Sequence, residues 1–168
     1  MINWMYFPRN KRIDDKSAEV VGVLESIKDQ IDSTTHELVS DQVLAVVRPG
    51  LESIGFEVEK GKKKDEKIHI PVLYGMNGKT DLAFDADAYN QACRYVVEVE
   101  AGRAVDNYQF LKDFFEVCSM NEADYLCIAV RNMCRGSNDF GKVCAFFDSL
   151  YTANRLSVPL KGILIIGY

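Results

Sequence analysis

The 168-residue sequence predicts an α/β domain, a mixed central β-sheet flanked by helices. Three features carry this. The stretch Lys79–Arg103 reads as two strands joined by a polar turn, which makes antiparallel neighbours. From Tyr95 onward strands and helices alternate at βαβ spacing, which makes parallel ones. The continuous apolar run Ile163–Ile166 implies a last strand buried on both faces.

Met1–Asp15 mixes Trp4, Tyr6 and Phe7 with Arg9, Lys11 and Arg12. It reads either as an arm that stacks on bases or, more simply, as a terminal segment docking its aromatics on the core. Val20, Leu24, Ile27 and Ile31 recur at helical spacing over Lys16–Asp32. Ser33–Thr35 breaks that helix, and a second is expected from near His36 to about Arg48, disrupted or ended by Pro49 and Gly50. Phe56–Glu59 and Lys67–Tyr74 read as strands. The run KGKKKDEK between them, five lysines against Asp65 and Glu66, reads as a solvated loop able to touch a phosphate backbone. A helix is expected over about Ala104–Met120, with Val105, Tyr108, Leu111, Phe115 and Cys118 on its apolar face. A buried strand Tyr125–Val130, a helix Asn138–Asn154 and a strand Leu160–Ile166 complete the chain. No linker divides it, so residues 1–168 form one domain, with 1–34 as N-terminal arm and helix and 35–168 as core.

The hairpin carries the chemistry. Asp81, Asp85 and Asp87 fall on one face of its first strand, and Glu98 and Glu100 on one face of its second. Leu82, Phe84, Ala86, Val97 and Val99 fall on the opposite faces. Pairing the apolar sets brings the carboxylates together. Like charges opposed across strands repel and raise each other's pKa. Such a cluster suggests a cation, and all-oxygen ligands suggest magnesium or manganese. A solvated acidic face is the plainer alternative. Glu37 has two readings as well: it closes a capping box Thr34–Glu37, or it is an extra acid near the metal.

Composition narrows the classes. Cys93, Cys118, Cys127, Cys134 and Cys144 are odd in number and contain no CxxC, which disfavours a zinc site or disulfide framework and fits a reducing cytoplasm. With only His36 and His69, Ser-His and Cys-His catalysis are poorly supplied. A net charge of −5 argues against a general basic nucleic-acid coat. No apolar run approaches the ~20 residues of a membrane span.

With Glu98-Val99-Glu100 on the second strand and acids on the first, the chain resembles the restriction-endonuclease-like, or PD-(D/E)xK, nucleases in their ExE variant. VVEVEAGRAVDNYQFLKDFF, YLCIAVRN and PLKGILIIGY are similar to bacterial type II restriction-endonuclease-like proteins. The resemblance spans roughly Thr35–Tyr168. It implies a core of helix, β-meander, helix and strand, with the motif aspartate on one meander strand and the acidic triplet on the next. Asp87 is the first choice for that aspartate, followed by Asp85, with Asp81 also open. The implied ligands of Mg2+ (or Mn2+) are Asp87 and Glu98, with Asp85 as an alternative. The implied catalytic set is Asp87, Glu98, Glu100 and Glu37, with Glu100 orienting or deprotonating water. The usual motif lysine is missing, and Lys112 is the candidate replacement. Arg103, Lys112 and Asn107 are candidate substrate-phosphate contacts, and Gln109 a further hydrogen-bonding group. DNA is the implied substrate, and a homodimer is the simplest way to cut both strands. Competing readings are a catalytically inactive DNA-binding or regulatory protein on the same fold, a metal-free interaction domain, and a two-carboxylate glycoside hydrolase.

Overall fold

The structure, a computed structural model, describes residues 1–102 and 104–168. In chain order the elements are β1 (Asn3–Phe7), α1 (Asp15–Ser26), α2 (Lys28–Ile31), α3 (Ser40–Ser53), β2 (Glu57–Val58), β3 (Ile68–Tyr74), β4 (Thr80–Ala86), β5 (Ala88–Asn90), β6 (Tyr95–Glu100), α4 (Gln109–Ser119), β7 (Tyr125–Val130), α5 (Asp139–Ala153) and β8 (Gly162–Gly167). Six strands form a mixed sheet in the order β1-β8-β7-β6-β5-β2, and β3 and β4 form a separate ribbon. The strands β6, β7 and β8 are parallel, and β1, β5 and β2 join antiparallel.

Helices cover both faces. Val20 and Leu24 of α1, with Val43, Leu44, Val47 and Leu51 of α3, pack on one face against Tyr95, Val97, Val99, Cys127 and Leu164. On the other, Phe110, Phe114 and Val117 of α4 and Val143 and Phe147 of α5 pack against Val96, Leu126, Ile128 and Ile163. Alternation along β6 thus sends odd residues to α1 and α3 and even residues to α4. Every residue of β8 is buried, as the apolar run implies.

The N-terminal segment is an edge strand, not a free arm. Asn3 to Phe7 pair with Gly167 to Ile163, and Tyr6 and Phe7 are buried while Trp4 stays exposed. Asp14 caps α1 by accepting from the Ser17 amide at 2.9 Å. It also accepts from the Tyr6 and Ser17 hydroxyls, and Ser17 Oγ meets the buried Tyr95 hydroxyl at 2.7 Å. This network ties β1, α1 and β6 together.

Several helix boundaries differ from expectation: the helix expected over Lys16–Asp32 is split at Ile27 into α1 and α2, and α3 starts at Ser40 rather than near His36. Pro49 and Gly50 do not end α3, which runs on to Ser53. Burial of Leu51 offsets the backbone hydrogen bond lost at Pro49. A Cβ on Gly50 would stand 2.5 Å from Val23 Cγ1, so the glycine sits where α3 crosses α1. Helix α4 starts at Gln109, not Ala104, and buries Phe110, Asp113, Phe114 and Val117. Tyr108 and Phe115, assigned to the apolar face, are exposed.

Phe147 is fully buried, with Phe7, Phe110, Phe114 and Phe146 ring centroids 5.2–6.2 Å away. Phe147→Ala is expected to cost about 3–5 kcal/mol, read as a lower urea midpoint at unchanged slope.

Candidate functional site

The predicted hairpin is only partly formed. The β5–β6 pair matches Ala88 with Val97 and Asn90 with Tyr95, and β4 leaves the main sheet to pair with β3. The chain breaks between them at Asp87, which in the β5–β6 register lies opposite Glu98. Both acids are held by main-chain amides. Asp87 Oδ2 accepts from the Val99 N–H at 2.8 Å, and the Asp87 N–H is bonded to the Glu98 carboxylate.

Burial raises the Glu98 pKa well above the usual range, and the nearby Asp87 and Asp113 carboxylates add to it. Burial pushes Asp87 up to about 7, partly offset by the Val99 amide. Glu100 rises to about 8, first through burial and then through Asp113, which lies within hydrogen-bonding reach. Asp113 itself is raised to about 6 by burial, against the hydrogen bond from Glu100. Even residues of β6 face α4, so Glu98 and Glu100 lie under that helix, where Asp113 meets them.

Asp113 was not anticipated from the sequence, though a signal was present. Phe110, Asp113, Phe114 and Val117 recur at helical spacing, so an acid stands inside an apolar stripe. Of the four acids only Glu100 lines the open groove above them, about 510 Å³ in volume, with Ser40, Asp41, Lys62 and Gln109. Lys62 brings the lysine-rich loop to this groove and pairs with Asp41 at 3.0 Å.

Several predicted residues lie elsewhere. Asp85 is on the ribbon, where Lys67 and His69 contact it at 2.7 Å. Against burial, which raises its pKa, those bonds hold Asp85 below its ordinary range. With both oxygens engaged it forms a ribbon ion pair, set apart from Asp87 and Glu98. Asp81 is farther out, next to Gly75. Glu37 caps no helix: α3 begins at Ser40, and Gln42 Oε1 accepts from the Val39 amide at 3.0 Å. Glu37 is exposed and lines a neighbouring cavity with Asn107, Arg131 and Arg135, so it is not grouped with the buried acids. Lys112 is exposed on α4 and pairs with Glu116 at 3.2 Å, although Glu98, Glu100 and Asp113 all feel its charge. Arg103 lies outside the described residues.

The donors present are carboxylate oxygens, the chemistry a hard divalent ion takes. Among the described residues no group of three His, Cys, Asp or Glu side chains has the placement to hold a metal ion. Asp113 Oδ2, however, is buried without a hydrogen-bond partner among those residues, an unmet demand for positive charge or a proton.

All four acids titrate higher in the folded chain than in the unfolded one. The folded state therefore binds more protons from about pH 4 upward, and stability falls as pH rises through the folded values of about 6, 7 and 8. Below about pH 4 the contribution is fully present. The protein is expected to melt at a higher temperature at pH 5 than at pH 8.5. Glu98→Gln should stabilise it at pH 8.5 by about 0.5–2 kcal/mol, and calorimetry across pH checks both outcomes.

No protein-family model, curated protein or solved structure matches this chain, so the site is read from its own geometry.

Proposed function

We propose that the chain is a magnesium- or manganese-dependent nuclease hydrolysing DNA phosphodiester bonds, of restriction-endonuclease type. One observation carries this reading. Asp87 and Glu98 face each other across adjacent antiparallel strands, and Glu100, two residues on, opens into a groove. The surrounding order α3, β2, β5, β6, α4, β7, with strand neighbours β2-β5-β6-β7, corresponds to the helix, meander, helix and strand that the resemblance implies. The β3–β4 ribbon is then an insertion between the first two meander strands.

In this reading Asp87 and Glu98 hold the cation. Main-chain bonds fix Asp87 and Glu98 before substrate arrives, a form of preorganisation. The cation, when bound, supplies charge neutralisation at the phosphate and acidifies a water. Glu100 reaches the groove and orients or deprotonates the attacking water. Lys62 at the groove edge and Lys112 on α4 provide positive charge near the substrate's phosphates. Cutting both strands of a duplex calls for two such sites, which a homodimer supplies.

A catalytically inactive DNA-binding or regulatory protein is the second reading. It is favoured by the lack of a three-ligand group among the described residues. Supercoiled plasmid incubated with magnesium, manganese or EDTA separates the two. The expected result is metal-dependent nicking, abolished by Glu98→Ala and reduced about 100-fold or more by Glu100→Gln. Plasmid left intact by the wild type with either metal overturns the nuclease reading.

A further inference from the structure

The groove over Glu100 adjoins a second cavity. Val39 and Ala101 line both, and the second, about 500 Å³ in volume, lies off the ends of β6 and β7. Two arginines of the loop after β7, Arg131 and Arg135, form part of its wall. Among the described residues neither guanidinium enters an ion pair, whereas Arg9 pairs with Asp148 and Arg94 with Asp124. Glu37 and Asp106 line the same cavity without pairing to either arginine. Arg131 is half-buried, and a charge withdrawn from water without a counter-charge is costly. Main chain fixes it, because Nη2 donates to the Leu38 carbonyl at 2.7 Å. That bond uses one of the five guanidinium donors. The Tyr168 hydroxyl lies beside Arg131 and donates to the Glu100 carbonyl at 3.4 Å. Arg131 is thus tied to the strand end that carries Glu100. Arginines without a carboxylate partner suit an anion that accepts paired N–H···O bonds, above all a phosphate group.

We infer that Arg131 and Arg135 form a phosphate subsite that grips the nucleic-acid strand beside the Glu100 groove. The subsite stands apart from the buried acids and does no chemistry. It fixes the path of the strand across the ends of β6 and β7, so that a neighbouring phosphate lies over Glu100. The inference deepens the nuclease reading and rests on it for DNA as the ligand.

Fluorescence anisotropy of a labelled DNA duplex with the full chain in EDTA, over a salt series, tests it. Arg131→Gln and Arg135→Ala are each expected to weaken binding. Each is expected to lower the slope of log affinity against log salt by about 1, the loss of one phosphate contact. Arg155→Ala, beyond the far end of α5, is expected to keep the wild-type slope. Should Arg131→Gln fail to fold once Leu38 loses its donor, the exposed Arg135 carries the test. Wild-type slopes in the variants that fold overturn the inference, as does an equal loss in Arg155→Ala or a wild type that leaves the duplex unbound. A melting temperature raised by inorganic phosphate, without duplex binding, overturns it in favour of a free-anion site. Plasmid nicking with magnesium or manganese separates it from the nuclease reading. Nicking with unchanged slopes removes the subsite and leaves that reading standing. Lowered slopes without nicking support the subsite and leave the DNA-binding reading.

Discussion

Strand β6 is buried on both faces, and the rest of the structure answers that constraint. Its odd residues, Tyr95, Val97 and Val99, need an apolar cover, which α1 and α3 supply. Its even residues are Val96, Glu98 and Glu100, so the opposite face carries charge into the interior. Placing α4 over that face removes Glu98 from water, and the cost shows as acids displaced upward in pKa. The parallel core of β6, β7 and β8, buried along nearly its whole length, provides the stability against which this cost is carried.

The acids are held rather than merely crowded. Val99 donates to Asp87, and the Asp87 amide is bonded to Glu98, so each carboxylate is anchored by main chain. These contacts occur where the chain leaves the ribbon and enters the main sheet, and the irregularity there frees Asp87 to reach across. The ribbon then takes its own acid, Asp85, out of the site by pairing it with Lys67 and His69. A preorganised pair under a groove with lysine at its edge is the arrangement from which the nuclease reading is drawn. Among the described residues no helix is long and apolar enough to cross a membrane.

Much of this was legible in the sequence. Period-two alternation in VVEVE gave β6 two distinct faces, and the apolar runs gave β7 and β8 their burial, because these patterns follow from strand geometry alone. Asp87 came first of the three candidate aspartates because it gives a short hairpin, in which turn length sets register. Asp113 was obscured because the helix face was drawn through Tyr108, Leu111 and Phe115, which are equally apolar in composition. Which stripe faces inward depends on where α4 begins and on what it packs against. Glu37 was misplaced for a similar reason: a capping pattern is local, whereas the start of α3 is set by Ser40, whose hydroxyl accepts from the Ala101 amide at 3.0 Å.

By itself the sequence determined the α/β class, the parallel half, and the presence of an acidic strand pair, since each depends on residue periodicity and nearest neighbours. Only the tertiary structure decided that β4 would leave the sheet, that the N-terminal segment would close its edge, and that Asp113 would join Glu100 beneath α4. Those outcomes depend on contacts between residues far apart in the chain. Side-chain volume, helix crossing and competition for buried hydrogen bonds select among patterns that are locally equivalent.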